Sequence, residues 1–96
     1  MNPHAATNTA PTNTLAATLR RALADNREVC ITHIDGWAVY GVVTKANAER
    51  THFVERGGVA RMWLLTNIIE VKVLGTATGT AARQARRHRD ERWGGR

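Results

Sequence analysis

The spacing of apolar residues changes along the chain from a helical period to a strand period. Over residues 14–26 the leucines and alanines recur every three or four positions, which places them on one helical face. From residue 28 apolar and polar side chains alternate, and β-branched residues are frequent, as in half-buried strands. The pattern predicts one helix, capped by Thr14 and ending near Asn26, and then strands over residues 28–34, 37–45, 52–55, 59–65 and 68–74.

Glycines mark the places where this chain is expected to turn or bend. Asp35-Gly36 and Gly57-Gly58 are predicted tight turns, and Gly41 marks a sharp bend inside the second strand. We therefore predict an α+β fold, in which an N-terminal helix packs on a strongly bent, five-stranded antiparallel small barrel with flexible termini. The predicted organisation is a disordered lead-in at residues 1–13, a helix-plus-barrel domain at residues 14–74 and a basic arginine-rich tail at residues 75–96.

The positive charge of the chain lies outside the strands. The sequence holds 14 Lys and Arg against 8 Asp and Glu, a formal net charge of +6. Residues 28–74 hold five charges of each sign, whereas residues 1–27 carry a net charge of +2 and residues 75–96 a net charge of +4. We expect a polyanion, RNA or single-stranded DNA, to bind the helix and the tail rather than the barrel. An acidic surface of a protein partner is the competing expectation.

The tail uses arginine and no lysine, which suits bidentate contacts with phosphate groups. Trp93, close to these arginines, can stack on an unpaired base. Two states of the tail remain open at this point. One is a solvated, disordered segment, and the other is a helix over residues 81–92, where Ala, Arg and Gln favour helical structure.

Residue types that catalyse reactions or bind metals are few and scattered. Cys30 is the single cysteine, and the four histidines share no metal-ligand spacing with it or with one another. No glycine loop has the sequence that cradles phosphates. We therefore expect no enzyme, no cofactor and no metal. Cys30 is expected to be a buried, inert thiol, and His33 to be partly buried on the strand face that carries Val29 and Ile31.

Nothing in the sequence predicts contact with a membrane. No apolar run approaches the ~20 residues that cross a bilayer, and the polar residues 1–14 lack the apolar core of a signal peptide. A single cysteine also fits a reducing compartment. The expected location is the cytoplasm.

Residues 14–74 resemble the Sm-like proteins, in particular bacterial Hfq. The first Sm motif is an apolar alternation, a turn glycine and a second glycine in the bent strand, here Ile31, Gly36 and Gly41. Asn47 stands where the family has an aspartate six residues past the second glycine, and its amide can still cap the loop. The second motif is matched in outline only, by residues 62–68.

The resemblance implies a ring of six or seven subunits and a regulator that binds single-stranded RNA without catalysis. Arg20-Arg21 resembles the basic rim patch on the Hfq helix. Leu65 and Thr66 replace the lysine-histidine pair of the Hfq uridine pocket, and Glu49 replaces the aromatic residue of its loop, so only the rim arginines carry over. The residues expected to bind nucleic acid are Arg20, Arg21, Asn47, Arg83, Arg86, Arg87, Arg89, Arg92 and Trp93.

A second resemblance points to a different class of function. Residues 54–65 resemble the hairpin of Rof, a monomeric Sm-like inhibitor of the transcription terminator Rho. Rof-type proteins are acidic where they meet Rho, whereas this chain is basic. The alternatives are therefore a small protein-interaction module, including a phage-encoded regulator of a bacterial host protein, and a structural subunit of an assembly.

Self-association is expected along the last two strands, which are apolar at their edges. Trp37 and Trp63 are expected in the core or at an interface rather than stacked on bases. The residues expected at a homo-oligomer interface are Arg61, Met62, Trp63, Leu64, Ile69 and Val71.

Overall fold

A computed structural model describes residues 11–94, with the side chains of residues 11–88. It contains two helices and five strands, in the order α1 (Thr12–Ala24), β1 (Arg27–His33), β2 (Ala38–Ala46), β3 (Arg50–Glu55), β4 (Ala60–Leu64), β5 (Ile68–Thr76) and α2 (Gly79–Gly94). A single 3-10 turn, Leu65–Asn67, joins β4 to β5. The predicted N-terminal helix and five short strands are thus confirmed. Most of the predicted lead-in, residues 1–10, lies outside the described residues.

The five strands form one antiparallel sheet in the order β4-β3-β2-β1-β5, so β4 and β5 are its outer strands. In a flat sheet β4 would lie three strand spacings, or roughly 14 Å, from β1. Nevertheless the ring of Trp63 on β4 lies 5.0 Å from the ring of His33 on β1. The sheet therefore curls strongly on itself, as a small barrel requires.

Helix α1 fills one face of the curled sheet. Its buried residues are Leu15, Ala16, Leu19 and Ala22, which share one face of the helix. The prediction that Thr14 caps this helix is wrong. The helix begins after Pro11, whose carbonyl accepts the N–H groups of Thr14 and Leu15. Proline suits a helix start because its ring fixes φ and because the N–H group that it lacks would have no partner inside the helix. The helix ends as predicted, since Asn26 adopts a left-handed φ of 55°.

The main core lies between α1 and the inner face of the sheet. The four helix residues pack against apolar residues of β1, β2, β3 and β5 and against the 3-10 turn. These residues are Val29, Ile31, Val43, Phe53, Ile68 and, in the turn, Leu65. Trp63 of β4 packs at the margin of this cluster. Buried and half-buried residues alternate along β1, as the period of two predicted, whereas adjacent residues are buried on β2 and on β3.

A second, smaller core lies on the opposite face of the same sheet. Val42 and Val54 are paired neighbours on β2 and β3, and they pack against Ala81 and Ala85 of α2 and against Ala77, which lies between β5 and α2. Successive residues of a strand point to opposite faces, so Val43 and Phe53 face α1 while Val42 and Val54 face α2. The sequence left open whether the tail is disordered or helical, and the structure shows a helix. This helix, α2, packs on the sheet.

Gly41 is required by close packing between strands rather than by an unusual φ. A Cβ at this position would lie 2.6 Å from the carbonyl oxygen of Val54 and 3.1 Å from the ring of Phe53. The absence of a side chain therefore lets β2 and β3 approach closely at this point. The bend predicted at Gly41 itself stays a prediction.

We predict that Gly41→Ala destabilises the protein by about 1–3 kcal/mol, because the new methyl group must displace the backbone of β3. The change is measured as a lower midpoint of urea unfolding followed by circular dichroism. Gly57→Ala is the matched control, since a Cβ at Gly57 meets nothing within 4 Å, and its midpoint should stay close to that of the unmodified protein. Equal midpoints for the two variants would contradict the close approach at Gly41.

Candidate nucleic-acid interface

The arginines of the barrel are paired with carboxylates. Arg56 makes a bidentate contact with Glu28 at 2.8 and 3.0 Å, and its guanidinium lies 4.3 Å from the centre of the Tyr40 ring. The hydrogen bond and negative charge of Glu28 raise the pKa of Arg56 above its usual range. Two further arginines pair in the same way, Arg61 with Glu55 and Arg50 with Glu49. Arg27 of β1 is the exception, since it forms no ion pair among the described residues.

The arginines of the two helices have no such partners. Arg20 and Arg21 of α1 and Arg83, Arg86 and Arg87 of α2 are all exposed, and none forms an ion pair within the part of the chain that the structure describes. These five guanidinium groups are available to an external anion.

The structure does not bring the two groups of arginines together. Helix α1 covers the inner face of the sheet and α2 covers the outer face, so the sheet separates Arg20 and Arg21 from the arginines of α2. The sequence analysis expects a polyanion at the helix and the tail, and in the structure these form two cationic surfaces. The side chains of Arg89, Arg92 and Trp93 lie outside the described residues, so their predicted role stays a prediction.

The exposed side of α1 borders a cleft of about 570 Å³ at the free edge of β5. Its lining includes Arg21, Arg27, Asp25 and Val73. Arg27, which the sequence analysis did not assign to the site, donates from its Nε to the carbonyl of Leu74 at 2.6 Å. It thereby ties the start of β1 to the end of β5 and adds a second positive charge beside Arg21.

Asn47 acts as the predicted cap of the loop between β2 and β3. Its side-chain oxygen accepts the backbone N–H groups of Glu49 at 2.8 Å and Arg50 at 2.9 Å. The carbonyl of Glu49 in turn accepts the N–H of Leu65. Since the amide oxygen is committed to the backbone, Asn47 shapes this loop, and contact with nucleic acid at Asn47 remains a prediction.

An aromatic cluster joins the turn between β1 and β2 to strand β4. The His33 and Trp37 rings stack at 4.9 Å with an interplanar angle of 19°, and Trp63 meets both rings edge-on at 5.0 Å. Phe53 continues the cluster into the core at 5.1 Å from Trp63. His33 is partly buried as predicted. Trp37 is 46% exposed, so of the two places expected for it the core is excluded, and an interface stays a prediction.

The predicted interface residues occupy the two outer strands of the sheet. On β4, Met62 and Leu64 are exposed by 44% and 42%, whereas Trp63 is half-buried and Arg61 pairs with Glu55. On β5, Ile69 and Val71 are half-buried. Both edges also present backbone groups that have no strand neighbour within the described residues.

The described part of the chain shows no group of three or more histidine, cysteine or acidic side chains arranged to hold a metal ion. Cys30 is half-buried rather than fully buried, because it lies on the outer face of β1, next to Tyr40 and beyond the reach of α2. Neither of the two described helices is both long and apolar enough to cross a membrane.

Comparisons with known proteins give no identification. No protein-family model matches the chain, and no curated protein matches it. The fold and the side-chain geometry are therefore the basis for any functional argument.

Proposed function

We propose that the protein is a non-catalytic nucleic-acid-binding protein that takes single-stranded RNA, as a regulator similar in type to the Sm-like proteins. The observation that carries this proposal is the division of the arginines into two classes. Arg50, Arg56 and Arg61 of the barrel lie beside carboxylates, whereas five arginines on the two helices form no ion pair among the described residues.

The division supports a polyanionic ligand for an energetic reason. Like charges on neighbouring turns of a helix repel one another, as Arg83, Arg86 and Arg87 do on α2. An anion with regularly spaced phosphates removes that repulsion and releases its own counterions. Because α2 is packed on the sheet through its alanines, its arginines are held on the solvent side of the helix. The backbone and side chains of α2 therefore lose less conformational entropy when the ligand binds.

A single strand suits this surface better than a duplex. The two cationic surfaces lie on opposite faces of a small barrel, and a flexible strand can pass from one face to the other around the edge of the sheet. Exposed aromatic residues such as Trp37 and Tyr40 are available to unpaired bases, whereas a duplex conceals the faces of its bases.

The proposal predicts that affinity for a labelled single-stranded RNA depends on the helix arginines and on salt. We expect Arg20→Ala/Arg21→Ala and Arg83→Ala/Arg87→Ala each to weaken binding roughly three- to tenfold. Each lost phosphate contact should reduce the slope of log affinity against log salt by about 0.7. The measurement is fluorescence anisotropy at several salt concentrations, with DNA of the same sequence as a second ligand.

Arg50→Ala/Arg56→Ala is the matched control, because it removes the same two charges from arginines that are already paired. If RNA binding weakens equally in this control and in the helix variants, affinity depends on net charge alone, and the proposed site is rejected. No binding by the full chain at low salt would reject the RNA proposal and favour an acidic protein partner. Deletion of residues 75–96 is unsuitable, because it removes α2 from Val42 and Val54 and cuts β5.

We further propose that the protein acts as a homo-oligomer in which β4 of one copy pairs with β5 of the next. This arrangement satisfies the open backbone groups of both edges and covers Met62, Leu64 and Val73, which are exposed in one copy. Two different edges pair, so the contact repeats from copy to copy. It closes as a ring when the rotations between successive copies add up to a full turn, and otherwise it extends as a filament.

The assembly predicts that Leu64→Glu lowers the molar mass measured by light scattering to that of one chain, because a charge at the paired edge cannot be buried. Ile34→Glu is the control, since Ile34 is similarly exposed but lies in the turn after β1. A monomer for the unmodified protein at high concentration would reject the assembly.

A further inference from the structure

The contact between α2 and the sheet continues beyond the alanines of α2 into a polar groove. Ala81, Ala85 and His88 are spaced by four and three residues, so they lie on the same side of α2. Val54 and His52 are two residues apart on β3 and therefore point to the same outer face of the sheet. The two alanines pack in one cluster with Val54. One position further along each element, His88 and His52 line a groove of about 290 Å³.

A β-bulge brings Thr44 to the same groove. Val43 pairs with Phe53 and Lys45 pairs with His52, so Thr44 is the extra residue of β2 at this point. Thr44 is half-buried, and it lines the groove together with the two histidines. Three polar residues from three different elements, β2, β3 and α2, therefore line one cavity.

The charges around the groove favour an anion. Within the part of the chain that the structure describes, no acidic residue lines it. Lys45 is the neighbour of His52 across the strands, and Arg86 and Arg87 directly precede His88. All three cationic side chains are exposed, and none forms an ion pair among the described residues. Positive charge is thus concentrated beside both histidines.

The donors and the size of the groove match the phosphate group of a nucleotide. A hydroxyl group donates one hydrogen bond, and an imidazole has two ring nitrogens, so a histidine can contact a ligand through one nitrogen and a neighbour through the other. Val54 and Ala60 add an apolar part that a sugar can cover, whereas the guanidinium of Arg61 is already paired with Glu55. The volume is near the lower end of ligand pockets, about 300 Å³, so a phosphate and its sugar fit better than a larger ligand.

We propose that this groove is a phosphate subsite, in which His52, His88 and Thr44 contact the phosphate group of a nucleotide. The nucleotide is either a unit of a bound RNA strand or a free nucleotide. With a strand as the source, the inference rests on the proposed function and adds to it a contact beneath α2. With a free nucleotide as the source, the subsite is independent of RNA binding.

The test follows the imidazole C–H resonances of His52 and His88 by NMR, in the full-length protein at constant pH. Uridine monophosphate and octa-uridine are the probes that carry phosphate, and uridine is the control with the same base and sugar. We expect both probes to shift the two sets of resonances until they saturate. Uridine should leave them unchanged, because it offers no phosphate to the groove.

Variants separate contact in the groove from the charge of α2. His88→Ala should weaken the binding of labelled octa-uridine about fivefold and Thr44→Val about threefold, because each variant loses one hydrogen bond to a charged group. Gln84→Ala is the control for the first, since Gln84 lies one turn before His88 on α2 and does not line the groove. Thr32→Val is the control for the second, since Thr32 is half-buried on β1 and also lies outside the groove. Both controls should bind octa-uridine as the unmodified protein does.

The outcomes distinguish this inference from the proposed function. Binding of octa-uridine that shifts neither histidine and is unchanged in His88→Ala would overturn the subsite and leave RNA binding intact. Equal shifts with uridine and uridine monophosphate would overturn the role of the phosphate. Shifts with octa-uridine alone would identify the strand as the source of the phosphate. Shifts with uridine monophosphate, without binding of octa-uridine at low salt, would reject the RNA proposal and identify a free nucleotide as the ligand. No response to either probe would overturn both proposals.

Discussion

The pairing of β2 with β3 is the constraint on which the rest of the structure depends. Adjacent residues on these two strands belong to different cores, Val43 and Phe53 to the one under α1, Val42 and Val54 to the one under α2. Gly41 permits the strands to approach closely. A shift of β3 by one residue in this register would turn Phe53 toward α2 and Val54 toward α1, so neither core would keep its packing. The register therefore fixes where both helices lie, and with them the cationic residues.

The distribution of charge follows from this architecture. Exposed ion pairs contribute little stability, so the paired arginines of the barrel matter chiefly because they cancel charge there. The helices contact the sheet through leucine and alanine on one side, and their arginines lie on the other side. The same amphipathic pattern that packs each helix therefore presents its positive charge to solvent.

Local patterns in the sequence were sufficient for most of the fold. The period of two placed all five strands, and Asn26 and Asn47 each perform the local role expected of them. The docking of α2 was not predicted, because alanine is only weakly apolar. The spacing of Ala77, Ala81 and Ala85 is nevertheless a helical stripe that signals it. The stack of His33 on Trp37 and the approach of Trp63 depend on the curl of the whole sheet, which no local pattern encodes.

The central claim is that α2 is a docked helix that presents its arginines, rather than a solvated tail. Amide hydrogen exchange over residues 81–88 tests it most directly, in the full-length protein, in Ala85→Asp and in Arg86→Asp. Ala85 is fully buried and Arg86 is exposed, so the same new residue is placed on the two sides of one helix. The account predicts protected amides in the unmodified protein and in Arg86→Asp, and loss of protection in Ala85→Asp, because a carboxylate cannot be buried against Val42 and Val54. Exchange at the rate of an unfolded chain in the unmodified protein would contradict it.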